Sequence, residues 1–226
     1  MLRINQLIGF GGRQAATPSV ATLSYIDSTG SSFSSTITAP AAINAGDLLI
    51  LVDSGRNTVA TPAEVIPSGF TKFDEYVDAG LFYRVTWSYK IADGTEDGAT
   101  LTGMLAIATI SKICYQFRGN VSITGISQFS KVVQFTSSDP TAQVVTASGG
   151  AVPLIVLVYY NSTGNISPRT FSPAKDGEEN DNNDTGVVSN AWLAYKIYNS
   201  SPADVTVDMD DEGDRNLIYS FYLQVT

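Results

Sequence analysis

No histidine occurs anywhere in the chain. That absence removes histidine-dependent triads, the commonest general base and the usual zinc sites together. Cysteine is nearly missing too. Cys114 stands alone, so there is no disulfide framework and no cysteine metal cluster. Charge is sparse: Asp, Glu, Lys and Arg make up 15% of 226 residues. No apolar run approaches the roughly 18 residues that a membrane-spanning helix needs. No window sustains a 3.6-residue apolar period over three turns, so helices are not expected. Residues 1–13 lack the unbroken h-region of a secretion signal, because Asn5 and Gln6 interrupt their apolar residues.

The charge that is present is lopsided. Asp and Glu number 22 against 13 Lys and Arg, a net charge of −9. Phosphate backbones and anionic lipid surfaces need clustered cations, so neither nucleic acid nor a membrane is expected as a partner. A net negative charge does favour solubility at high local copy number. The length is enough to bury a core without covalent staples.

Ser, Thr, Gly, Val, Ile and Tyr dominate, a composition that favours strands and turns. The stretch Gly46-Asp47-Leu48-Leu49-Ile50-Leu51-Val52 holds five consecutive large apolar residues. It is bounded by Gly46 and by Asp53-Ser54-Gly55, and is too short for a buried helix. It reads as a strand covered on both faces. At an offset of 106 the run returns as Val152-Pro153-Leu154-Ile155-Val156-Leu157-Val158. The same offset carries Tyr89-Lys90-Ile91 onto Tyr195-Lys196-Ile197, and Ile113, Tyr115 and Phe117 onto Tyr219, Phe221 and Leu223. These anchors indicate an internal duplication.

Along the chain, residues 1–19 form an apolar arm, with Leu2, Ile4, Leu7, Ile8 and Phe10 as its anchoring side chains. Residues 20–118 form a first β-sandwich repeat and 119–226 a second. The cleanest alternation is Tyr83–Ile91: Tyr83, Val85, Trp87, Tyr89 and Ile91 share one face, and Arg84, Thr86, Ser88 and Lys90 the other. That is the pattern of a half-buried antiparallel strand, with Trp87 in the core. Residues 27–35, 53–69 and 176–185 read as loops. Each repeat offers six or seven short strands, the count of a Greek-key sandwich. The linker between the repeats is only a few residues. The expected fold is therefore an all-β, antiparallel jelly-roll-like β-sandwich in which each copy contributes strands to both sheets. Two tandem Ig-like sandwiches are the alternative.

Five segments carry a resemblance: Gly46-Asp47-Leu48-Leu49, Pro67-Ser68-Gly69-Phe70-Thr71, Tyr89-Lys90-Ile91-Ala92, Gly94-Thr95-Glu96 and Tyr115-Gln116-Phe117-Arg118-Gly119. Together they resemble a β-sandwich module of tailed-bacteriophage structural proteins and some bacterial surface proteins. Ile4-Asn5-Gln6-Leu7-Ile8-Gly9-Phe10-Gly11 resembles the start of many small phage virion proteins. The second copy departs from the pattern: Gly46-Asp47 becomes Val152-Pro153, and Gly94-Thr95-Glu96 becomes Ser200-Ser201-Pro202. The resemblance implies a non-enzymatic subunit of a virion, as a fibre, tail-associated or capsid-decorating protein. It would be present in several copies, contact other virion proteins and carry no cofactor.

Candidate chemistry is thin. Asp208, Asp210, Glu212 and Gly213 trace part of an EF-hand loop, but Tyr219 stands where a bidentate Glu is required and no helices flank it. A looser calcium loop involving Asp181 or Asp184 competes with a solvated acidic turn. Asp74, Glu75, Glu96 and Asp97 are candidates for a paired-carboxylate hydrolase. Lys112, two residues from Cys114, would lower that thiol's pKa a little, although an inert buried thiol is the simpler expectation. Trp192 aligns with Thr86 rather than Trp87, which sets it on the polar face of its strand or, after a register shift, in the core. With Tyr159 and Tyr160 it is the candidate contact for a host surface glycan or a neighbouring subunit.

Overall fold

A computed structural model describes residues 21–32, 34–80, 82–106, 109–135, 142–162, 168–181, 190–209 and 215–226. The first half supplies seven strands: β1 (Leu23–Ser32), β2 (Ile37–Thr38), β3 (Leu48–Arg56), β4 (Thr71–Asp78), β5 (Tyr83–Ile91), β6 (Thr100–Leu101) and β7 (Thr109–Gly119). The second supplies β8 (Ile123–Phe135), β9 (Gln143–Val145), β10 (Leu154–Ser162), β11 (Pro168–Ser172), β12 (Gly177–Asp181), β13 (Asn190–Tyr198), β14 (Val205–Met209) and β15 (Arg215–Val225). All strand pairings are antiparallel.

The strands assemble into two large five-stranded sheets, β1-β7-β3-β5-β4 and β8-β15-β10-β13-β12, flanked by small sheets β2-β6 and β9-β14-β11. Element by element, the second order repeats the first: each strand is replaced by the one at the equivalent place in the other half. The chain is thus an all-β antiparallel sandwich with two like halves. The partition of strands differs from expectation. Neither large sheet mixes strands from both halves. Each half builds its own, and the two sheets pack face to face.

The central core lies between them. Leu48, Ile50, Val52, Tyr83, Val85, Trp87, Ile113, Tyr115 and Phe117 meet Ile155, Leu157, Tyr159, Leu193, Tyr195, Tyr219, Phe221 and Leu223. The outer face of the second sheet is closed by Val145, Ala147, Val205 and Val207, and that of the first by Ile37, Ala39, Ile43 and Met104. The order is therefore small sheet, large sheet, large sheet, small sheet. This explains why β3 is apolar throughout. Leu48 to Val52 are at most 1% exposed, because both faces are covered.

Double coverage also explains a slip in the repeat. At the offset of 106, Leu48, Ile50 and Val52 correspond to Leu154, Val156 and Val158. Yet the first three face the central core and the last three the outer one. Ile155, Leu157 and Tyr159 are their equivalents by environment. A strand buried on both faces carries no period-2 signal, so a one-residue slip leaves no trace in its sequence. On β7 and β15 the offset holds: Ile113, Tyr115 and Phe117, like Tyr219, Phe221 and Leu223, all face the central core.

Several boundaries move. Asp53, Ser54 and Gly55 continue β3 rather than ending it. β1 runs on through residues 27–32, with a bulge between Tyr25 and Asp27. β12 occupies part of the stretch read as the most polar loop. The polar face of β5 is covered at its centre: Thr86 and Ser88 are 2% exposed, while Arg84 and Lys90 at its ends are half-buried.

Polar contacts join the halves at both flanks. Leu23 N–H donates to Asn199 Oδ1 at 2.7 Å, and Asn199 Nδ2 donates back to Leu23 O at 3.0 Å. Ser28 Oγ donates to Glu179 Oε2 at 2.5 Å. On the other flank Lys131 Nζ lies 2.5 Å from Asp74 Oδ2. Inside, Tyr83 and Tyr159 share a hydroxyl hydrogen bond of 2.9 Å, Tyr115 Oη donates to Leu193 O, and Tyr25 stacks on Tyr195 with centroids 4.9 Å apart.

Candidate functional site

The segments that carry the phage resemblance converge at one end of the first half. Asp47, just before β3, is 1% exposed. Arg118, near the end of β7, grips it with both arms of its guanidinium. Nε donates to Oδ1 and Nη2 to Oδ2, each at 2.7 Å. Nη2 also donates to Ala42 O at 2.8 Å. Asn44 N–H and Gln116 Nε2 complete the carboxylate's shell, at 2.8 and 2.7 Å. Desolvation pushes the Asp47 pKa up. The Arg118, Asn44 and Gln116 hydrogen bonds outweigh it, and the net shift is downward.

The remaining segments serve the same end. Lys90 on β5 forms an ion pair with Glu96, which is 4% exposed and also accepts from Gly94 N–H at 3.2 Å. Phe70 fills the outer core beside Leu49 and Leu51. Gly69 has a φ of +81°, and a Cβ there would sit 3.2 Å from Lys90 Nζ. The positive φ of the turn is what favours glycine; a Cβ would also require the Lys90 side chain to shift by a few tenths of an ångström.

Between this brace and the turn joining the halves lies an open polar cleft of about 520 Å³, lined by Asn44, Asp47, Arg118, Asn120, Ser122 and Thr226. Arg118 turns toward Asp47 and Ala42. What the cleft offers a partner is mainly amide, hydroxyl and backbone groups. The second half lacks the brace. Pro153 and Gln224 stand at the offset positions of Asp47 and Arg118, and Gln224 Nε2 instead donates to Ser127 Oγ at 2.7 Å.

The brace has a measurable worth. Replacing Arg118 with Ala removes charge-assisted hydrogen bonds and strands a buried carboxylate. The expected loss is about 2–3 kcal/mol in urea unfolding. Lys72→Ala breaks an exposed pair with Glu64 and is expected to cost at most about 1 kcal/mol. Because the folded Asp47 pKa lies below its ordinary 3.8, its contribution is complete above that value and is lost as pH falls through the lowered one. Arg118→Ala removes the main group that lowers this pKa, so its deficit should be largest above 3.8 and should shrink as pH falls through the lowered value, flattening the acid limb.

The other candidates fall as follows. Tyr159 is corrected: it is 0% exposed, hydrogen-bonded to Tyr83 and edge-on to Trp87, so it presents no surface to a glycan. Trp192 and Tyr160 are register partners on β13 and β10, with Asn180 beside Trp192 on β12. Their side chains lie outside the described residues, as do Leu2, Ile4, Leu7, Ile8 and Phe10. Trp87 is fully buried, as its alternation indicates. The candidate carboxylates are engaged in ion pairs and hydrogen bonds: Asp74 with Lys131, Glu75 with Arg84 and Lys72, Glu96 with Lys90, and Asp97 with the Ile43 N–H at 3.3 Å. Residues 210–214 and Asp184 lie outside the described residues. Among the described residues no group of three or more acidic, His or Cys side chains could hold a metal ion.

Cys114 is fully buried, and burial pushes its pKa up to about 12. The expected lowering by Lys112 does not occur, because Lys112 is engaged elsewhere. Its Nζ lies 2.9 Å from Asp53 Oδ1 and 3.1 Å from Leu105 O, and Leu105 N–H donates to Asp53 Oδ2 at 2.8 Å. Lys112 is 0% and Asp53 2% exposed. The sequence reading missed this buried pair because Asp53-Ser54-Gly55 has turn composition. A lone lysine on the apolar strand β7 was the available signal.

No family model, curated protein or solved structure matches this chain.

Proposed function

We propose that this chain is a non-enzymatic structural subunit of a tailed-bacteriophage particle, a fibre, tail-associated or capsid-decorating protein held on the virion by its apolar arm. The observation that carries the reading is the convergence of the resemblance segments on an internal brace. Asp47, Lys90, Glu96 and Arg118 are spent on holding loops of the fold in place. A motif of this kind preserves a shape. The sandwich would project from the particle, with residues 1–13 seated on a neighbouring virion protein.

Deletion of residues 1–13 tests it. The truncated protein should keep the circular dichroism and melting behaviour of the full chain and disappear from purified particles, as read by mass spectrometry. Incorporation at the full-length level would overturn the anchor.

The register pairing of Trp192 with Tyr160 favours a second reading, recognition of a host surface glycan by the projecting sandwich. An aromatic pair on adjacent strands is a stacking platform for a sugar ring. A glycan array should give a signal that Trp192→Ala removes. An array without signal for the wild-type chain rejects this reading.

A further inference from the structure

The large sheets have four edges, and three are blunted. β4 carries Lys72, Asp74, Glu75 and Asp78. The described part of β12 holds Glu178, Glu179 and Asp181. β1 is broken by its bulge, and Thr29 Oγ1 donates sideways to Thr38 O at 2.6 Å. Charge and irregularity are usual defences of an exposed strand edge.

β8 is different. It is thirteen residues long and pairs only with β15 among the described residues. Between Arg118 and Asp139 the sole charged residue is Lys131, and its ammonium turns to Asp74. Two bulges, opposite Ser220/Phe221 and opposite Gln224/Val225, interrupt the strand, but residues 130–135 pair with β15 in unbroken register. Three of the five exposed large hydrophobics among the described residues lie on this flank. They are Phe129 and Val133 on β8, 39% and 37% exposed, and Val144 on the neighbouring small-sheet edge β9, 51% exposed.

We propose that β8 is a self-association edge: residues 131–135 pair antiparallel, centred on Val133, with the same residues of a second copy of this chain. The occupant follows from charge and symmetry. The chain carries a net charge of −9, so copies repel over most of their surface, whereas the one charge on β8, Lys131, is already paired with Asp74. Antiparallel pairing of one segment with itself is self-complementary. It closes a two-fold dimer and joins two five-stranded sheets into one. Val133 meets its counterpart near the axis, and Phe129 and Val144 border the contact. The edge chemistry is independent of a virion role.

Sedimentation equilibrium of the full chain from low to high micromolar concentration tests it. The mass should rise from 24.1 kDa to twice that value. Val133→Lys, which sets like charges against each other across the axis, should weaken association at least about tenfold. Val59→Lys, at a 77% exposed position outside β8 and β9, should leave it unchanged. Hydrogen exchange gives a second readout that needs no variant: amides of residues 131–135 should slow with rising concentration while those of β4 and β12 do not. A chain that stays at 24.1 kDa throughout overturns the proposal. So does an oligomer that Val133→Lys leaves intact, or protection at 131–135 that is independent of concentration, which would place residues of the same chain on the edge.

Discussion

Lys112→Met should be among the most damaging single substitutions in this protein, costing about 3–5 kcal/mol. Total stabilities of domains are only about 5–15 kcal/mol, so a large share would go. The cause is the carboxylate left behind. Asp53 is 2% exposed, and without the Lys112 ammonium it keeps only the Leu105 N–H as a partner among the described residues. Desolvation already holds the Asp53 pKa above its ordinary value despite Lys112. Removing the cation should push it further up. A raised folded pKa means that the folded state holds its proton more tightly than the unfolded chain does. The deficit of Lys112→Met should therefore shrink as pH falls through the raised pKa toward 3.8, where the unfolded carboxyl also protonates. Urea unfolding at several pH values reads this directly. The double variant Asp53→Leu/Lys112→Met removes both charges but leaves Leu105 N–H and C=O without their partners. It should recover part of the loss, not all of it. Equal losses for the single and double variants would show that the buried charge is not the cause.

That pair also marks where the sequence stopped being readable. Strand content, the two like halves and the core role of Trp87 were legible, because period-2 patterning and a repeated run of apolar residues leave direct marks. Tyr83–Ile91 showed which side chains share a face. It did not show that Thr86 and Ser88 are buried too, because small hydroxyl side chains suit a solvated face as well as a covered one. β3 and β10 posed the opposite difficulty: apolar on both faces, they hid a one-residue difference in facing. Asp53 looked like a turn because its neighbours Ser54 and Gly55 are turn formers, and only the register with Lys112 across β3 and β7 reveals its partner. Of the candidate site, Asp47 and Arg118 stood in the sequence as separate segments. Their meeting is a product of the sheet order, which places β3 beside β7.

The second large effect concerns the halves themselves. Expressed alone, residues 21–119 should fail to give a soluble, cooperatively melting domain, and so should residues 120–226. The linker is short and each half closes its own pair of sheets, so independence would be the natural guess for tandem sandwiches. The central core argues otherwise. Ten of its buried side chains come from the first half and nine from the second. Separation would expose Leu48, Ile50, Val52, Tyr83, Val85, Trp87, Ile113, Tyr115 and Phe117 together. At about 1.5–3 kcal/mol for each large apolar side chain, the loss is on the order of 20 kcal/mol, more than a domain of this size has to lose. The small sheet β2-β6 cannot compensate, since it covers only the opposite face. Co-expressed, the two fragments should instead recover each other as a one-to-one complex whose near-ultraviolet dichroism matches the intact chain. Aromatic pairs across the junction supply that signal. Trp87 sits 4.7 Å from Tyr219 and 5.8 Å from Tyr159, centroid to centroid. In the intact chain the same dependence predicts a single thermal transition, and Trp87→Ala should lower it as a whole rather than split it. A monomeric, cooperatively unfolding fragment of residues 21–119 would show that the central core is an interface between independent domains and not the core of one.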